Sequence, residues 1–172
     1  KLFLDDLVPE RKSLTHQIPF GQMYKSLIDQ AGNVYRSPPF IKIFIDRFKD
    51  LPGVNVCDRD KTLAAVFQYA KSIKDFHEAV GGWSVVHLFA KESPTLAANQ
   101  SYLHEKLIVE CNEILFDELK SVSQVVLVNL GAELASYDGA SFDPRLEFIG
   151  KFPFSDSFSS YLARRWVSLV IA

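Results

Sequence analysis

The stretch QVVLVNLG, residues 124–131, most limits what this chain can fold into. It is a continuous apolar run of strand length with no polar residue at every second position, so a strand made from it must be covered on both faces. Strands of that kind belong to parallel sheets, because the crossovers between parallel strands lay helices across the sheet.

The rest of the chain fits that demand. KTLAAVFQYAKSIKDFHEAV predicts a helix over 61–80, with Leu63, Phe67, Ala70, Ile73 and Phe76 in a stripe and Gly81-Gly82 closing it. A strand at 84–90 follows, then a helix over about 100–120 with Leu103, Leu107, Cys111, Ile114 and Phe116/Leu119 along one side. PPFIKIFIDRFKDLPG gives a helix over 39–50, with Pro39 at its first position and Leu51-Pro52-Gly53 as its stop. VNVC (54–57) predicts a short strand, SDSFSSYLARR a helix over 155–165 capped by Ser155 or Asp156, and WVSLVIA a last strand at 166–171. Residues 132–153 suggest a loop-rich connection with a turn at Asp138-Gly139 and a short strand at 146–149. The first 36 residues suit a hairpin extension turning at Ala31-Gly32-Asn33, or a short helix ended by Gly32. The expected fold is α/β, a three-layer α/β/α single domain over 1–172 with a mostly parallel central sheet of strands 54–57, 84–90, 124–130 and 166–171.

Composition narrows the class. At 172 residues, 48% hydrophobic and 23% charged, the chain has ordinary globular values. Its net charge of −2 gives no general pull toward nucleic acid or an anionic membrane. Lysines are followed closely by acids, as in Lys74-Asp75 and Lys91-Glu92, so a nucleic-acid role ranks last. No apolar run reaches the roughly 18 residues of a membrane-spanning helix. Two cysteines, Cys57 and Cys111, suit a reducing, cytoplasmic setting and make no disulfide framework. The sequon Asn99-Gln100-Ser101 falls where a helix begins and fits a capping role. The start at Lys1, the single Met23 and the apolar end lead us to expect a piece of a longer chain or polyprotein.

Motifs of known chemistry are missing from the sequence. It contains no G-x-x-x-x-G-K-[ST], no G-x-G-x-x-G and no G-x-S-x-G. His104-Glu105 starts a zinc-binding H-E-x-x-H, but Ile108 stands where the second histidine must be, so no metal and no cofactor is implied. His104 is expected on a helix surface. Ala163-Arg164-Arg165-Trp166 is best explained as cations near a helix C-terminus.

In open parallel sheets, ligands sit outside the carboxyl ends of the strands. That rule collects Cys57, Asp58 and Asp60 after the first strand, Lys91 and Glu92 after the second, and Asn129 and Glu133 at the third. If a ligand site exists, Asp58, His87, Asn129 and Glu133 are the candidates nearest to it, and no residue is assigned a catalytic role. His87 shares a strand face with Val85 and Phe89, which favours a buried imidazole with a backbone or hydroxyl partner. Cys111 falls on an apolar stripe and suits inert packing, while Asp58 beside Cys57 works against a reactive thiolate there.

Residues 84–172 resemble the second half of a macrodomain, with VVHLFA similar to the strand before its second helix and VVLVNLGAELASYDG to the strand and loop that hold phosphate. The resemblance implies ADP-ribose binding, but the family's glycine-rich loop and Asn-Ala-Ala-Asn-like segment are missing from VNVCDRDKT. Two functions follow. The first is a non-enzymatic interaction module acting through protein partners. The second is a nucleotide- or ADP-ribose-type ligand-binding domain with its site at the carboxyl edge of the sheet.

Overall fold

The computed structural model describes residues 23–36, 39–91, 98–143, 145 and 154–171. In chain order these form α1 (Met23–Ile28), α2 (Asn33–Arg36), β1 (Ile41–Phe44), a 3-10 turn (Phe48–Asp50) and α3 (Arg59–Val80). Then come β2 (Trp83–Leu88), α4 (Ala98–Leu119), β3 (Val125–Asn129), α5 (Leu130–Ser136) and α6 (Asp156–Ile171). The three strands make one parallel sheet in the order β1-β2-β3, with Ile43 opposite Val85 and Val85 opposite Val126. This is a small α/β fold.

Strand alternation divides the apolar residues between two faces. Phe44, Val86, Leu88, Val125 and Leu127 join a core with Val66, Ile73 and Phe76 of α3 and Leu107, Cys111, Leu115 and Leu119 of α4. Ile41, Ile43, Val85, Val126 and Val128 turn the other way and meet Trp166, Leu169 and Val170 of α6. The crossover helices α3 and α4 pack on each other, as two like-handed crossovers between successive strands require.

Buried polar groups at the amino edge of the sheet are taken up by backbone. Lys42, 5% exposed, donates to the carbonyl of Gly81 at the end of α3, where the helix dipole favours a cation. Burial lowers its pKa from the ordinary lysine value. His77 Nε2 lies 2.9 Å from the Ser123 carbonyl, so that nitrogen carries the proton, and Nδ1 accepts from the Ser84 hydroxyl at 2.8 Å. Gly82 has φ 73°, and a Cβ there would stand 2.8 Å from the Phe40 carbonyl oxygen, so only glycine lets β2 start beside β1.

Several expected elements are corrected. Residues 39–50 are not a helix. Ile41, Ile43 and Ile45 are β-branched, and of the residues that mimic a helical stripe Ile41 and Phe44 lie on opposite faces of β1, while Phe48 falls in the 3-10 turn. VNVC is not a strand, because Asn55 draws the chain into a turn: its side chain accepts from Cys57 N, and its backbone is bridged to Thr62. Residues 166–171 are the end of α6 and not a strand, since no Gly or Pro after Ser155 interrupts that helix. Ser155 Oγ accepts from Phe158 N and caps it.

The expected hairpin is α1 and α2 around Gly32, and α5 occupies the start of the expected loop after β3. α4 begins at Ala98, so Asn99 lies within its first turn and not before it. The stripes also shift. Phe67, Leu103 and Phe116 face solvent, while Val66, Tyr69, Ile108 and Leu115 are buried. Residues 146–149 lie outside the described residues.

The orientation of α4 is directly testable. Leu115 is fully buried and Phe116 is 49% exposed. Leu115→Ala is expected to lower unfolding free energy in chemical denaturation by about 2–5 kcal/mol, and Phe116→Ala by less than about 1 kcal/mol. A reversed order of the two effects would place the other face of α4 in the core.

Candidate functional site

The carboxyl edge of the sheet is built from the ends of β1, β2 and β3, the start of α3 and the whole of α5. His87, one residue before the end of β2, is 3% exposed. Its Nε2 accepts from the indole N–H of Trp166 at 2.9 Å. Because indole nitrogen only donates, the imidazole proton must be on Nδ1, which donates to the Phe44 carbonyl at 3.1 Å. Both ring nitrogens are thus occupied, and the Trp166 ring meets the imidazole edge-on at 5.5 Å. Burial pushes the pKa down to about 4, against smaller upward effects of the Phe44 bond and the Glu133 charge. The imidazole is therefore neutral near pH 7 and hydrogen-bonded within the fold at both nitrogens.

Asn129 ends β3 and caps α5, its Oδ1 accepting from Ala132 N at 3.0 Å. Glu133, in the first turn of α5, accepts from the Tyr161 hydroxyl at 2.6 Å and from Arg165 at 3.2 Å. Burial works to raise its pKa, but these two hydrogen bonds and the Arg165 charge outweigh it and hold the carboxyl below its ordinary value. Arg165 is therefore committed to an ion pair in mid-helix, which corrects its expected place at a helix end.

Asp58 caps α3, accepting from Lys61 N at 3.0 Å. The structure thus gathers His87, Asn129 and Glu133 around the start of α5 and sets Asp58 apart at the start of α3. Each of the four uses a side-chain polar atom to hold the fold. Cys111 is buried, and burial pushes its thiol pKa up to about 12, so it stays a neutral packing group. Cys57 is exposed.

Sequence reasoning missed three groups at this edge. Asp46, two residues beyond β1, accepts from the buried Tyr69 hydroxyl. Burial raises its pKa, the Tyr69 bond partly offsets that, and the Asp50 charge adds to it. Asn112 of α4 grips both backbone groups of Phe89, at 2.8 and 2.9 Å, and continues the hydrogen bonding of β2 beyond its end. Trp166 is the third. The isoleucine repeat of IKIFI, read as period two, would have placed Asp46 past a strand end; nothing local marks Asn112.

Two open grooves flank the edge. One, about 370 Å³, runs between the ends of β2 and β3 and α4, with Leu88, Val109, Phe116 and Asn129 among its walls. The other, about 400 Å³, lies between Leu51-Pro52-Gly53 and α3 beside Tyr69. Among the described residues, no group of three His, Cys, Asp or Glu is placed to hold a metal. His104 is partly buried beside the Phe48 ring at 5.6 Å. No described helix is long and apolar enough to cross a membrane.

Comparison with protein-family models, with curated proteins and with solved structures found no match. The stretch VVLVNLGAELASYDG runs from β3 straight into α5, with residues 137–139 beyond the helix.

The His87 geometry sets a pH dependence. Its folded pKa is depressed, so the unfolded chain binds the extra proton first, and stability falls as pH drops from about 6.5 to about 4. Unfolding free energies measured across that window should decline by on the order of 3 kcal/mol from this residue. His87→Gln removes the titrating group and should flatten the slope relative to wild type. An unchanged slope would mean that the imidazole is not neutral in the fold.

Proposed function

We propose that this chain is an interaction module that works through contact with protein partners. One observation carries the reading: a row of apolar side chains on the outside of α4. Tyr102, Val109 and Phe116, every seventh residue, are 68%, 55% and 49% exposed, and Leu103 beside them is 65% exposed. Seven-residue spacing keeps a helical row on one face to within about 20° per step. An aligned row of this kind marks a contact surface more than scattered apolar residues do. β3, next to the row, has a strand neighbour on one side only among the described residues, and such an edge is a natural place for another chain to add.

The rim residues support the same reading, since Asp58, His87, Asn129 and Glu133 all serve the fold. The three-layer α/β/α arrangement belongs to this proposal too, with α3 and α4 over one face and the end of α6 over the other. It leaves the outer side of α4 free for a partner. The exposed thiol of Cys57 suits a reducing, cytoplasmic setting.

The competing class is a nucleotide-type ligand domain at the carboxyl edge. A photo-crosslinking residue placed at Val109 or Phe116 should capture another protein, whereas one at Lys71 on the exposed side of α3 should not. A thermal-shift screen of nucleotides and ADP-ribose should leave the melting temperature unchanged. A nucleotide that raises it by several degrees would overturn the proposal, because tight binding to the native state must stabilise it.

A further inference from the structure

Resting on the interaction reading, we infer that the α4 groove takes a segment of a protein partner that carries an apolar anchor flanked by Lys or Arg. The groove between α4 and the ends of β2 and β3 has Leu88, Val109 and Phe116 as its apolar walls and Glu113 and Asp117 as its charged lining. Among the described residues no Lys or Arg is in its lining, and the nearest ammonium is that of Lys120 at its Asp117 corner. From Leu107 to Leu119, α4 carries Glu110, Glu113, Asp117 and Glu118 and no Lys or Arg.

These carboxylates differ in their commitments. Glu110 is engaged by Arg59 at 2.7 Å across the α3–α4 seam. Glu113 is exposed and makes no ion pair among the described residues. Asp117 pairs with Lys120 one turn on, and the same ammonium lies 5.5 Å from the centre of the Phe116 ring. The corner made by Phe116 and Asp117 therefore already holds an ammonium, the chain's own. Both partners of that pair are half exposed or more, and such surface pairs are worth little, so an incoming cation can take the place of Lys120.

Val109 and Phe116 are two turns apart, about 10 Å along the helix, which is the span of two anchors on a short peptide. Apolar contact would supply affinity, and the carboxylates would select cationic neighbours and speed encounter. An acidic or neutral apolar segment would leave Glu113 and Asp117 facing apolar or like-charged groups at a cost.

The probes are two synthetic amphipathic peptides of equal length and pattern, one Leu/Lys and one Leu/Glu, each titrated into the whole chain by fluorescence anisotropy. Four proteins are compared: wild type, Glu113→Lys with Asp117→Lys, Asp75→Lys with Glu78→Lys, and Val109→Ser with Phe116→Ser. Asp75 and Glu78 are exposed on α3, so the two lysine variants change net charge equally at different places. The Leu/Lys peptide should bind wild type at least about tenfold tighter than the Leu/Glu peptide. The groove charge variant and the serine variant should each weaken it by about tenfold or more, and the α3 variant should leave it within about twofold.

Equal losses in the two charge variants would overturn the inference, since the attraction would then be general. Equal binding of both peptides, lost only in the serine variant, would overturn the charge requirement and leave the interaction reading standing. Failure of both peptides to bind would overturn the inference, while crosslinking at Val109 tests the interaction reading separately. Sedimentation that shows a wild-type dimer and a monomeric serine variant would assign the groove to a second copy and overturn it too. Circular dichroism reports folding of each variant, and Glu113→Lys alone repeats the test if the double charge variant unfolds.

Discussion

The hydrogen bonds of one neutral imidazole join parts of this fold that are far apart in sequence. His87 belongs to the central strand, donates to the end of β1, and accepts from an indole on α6. A neutral histidine is suited to this because it offers one donor and one acceptor on opposite sides of a rigid ring. Protonation would leave two donors, and the Trp166 N–H would then face another N–H in a buried place. That bond joins the central strand to α6 on the second face of the sheet, where α6 also packs against Val85 and Val128.

The same use of polar side chains recurs around the sheet. Lys42 and His77 hold the amino edge, and Asn112 continues β2 through its amide. Asp58 and Asn129 start the helices that follow the turns. A sheet of three short strands buries little apolar area, and each unpaired buried donor or acceptor would cost about 1–3 kcal/mol. These side chains are engaged within the fold. That engagement fits the proposal that contacts on the outside of α4, and not the rim, carry the function.

β2, β3, α3 and α4 were legible as elements because their apolar runs have strand or helix length and are bounded by Gly or polar turns, although the buried faces of α3 and α4 were read one position out. The parallel sheet followed from the unbroken apolar run at β3. β1 was hidden because Phe40, Ile41, Phe44, Ile45 and Phe48 satisfy a helical period and a two-faced strand at once, a choice that pairing with β2 decides. The end of α6 was hidden because Trp166, Val167, Val170 and Ile171 are β-branched or aromatic, yet packing on the sheet overrides their preference. Of the candidate site residues, His87 was correctly expected to be buried, but its partner Trp166 had been placed in a strand. Nothing in the local sequence joins residues 79 positions apart.

The most direct test of the account is the protonation state of His87. Long-range proton–nitrogen NMR correlation on uniformly labelled chain separates the two neutral tautomers from the imidazolium. The structure requires the neutral form protonated at Nδ1, with the Trp166 indole proton shifted by its hydrogen bond, at pH 7 and still at pH 5. An imidazolium at pH 6, or a neutral ring protonated at Nε2, would contradict it and return His87 to the list of groups available for chemistry.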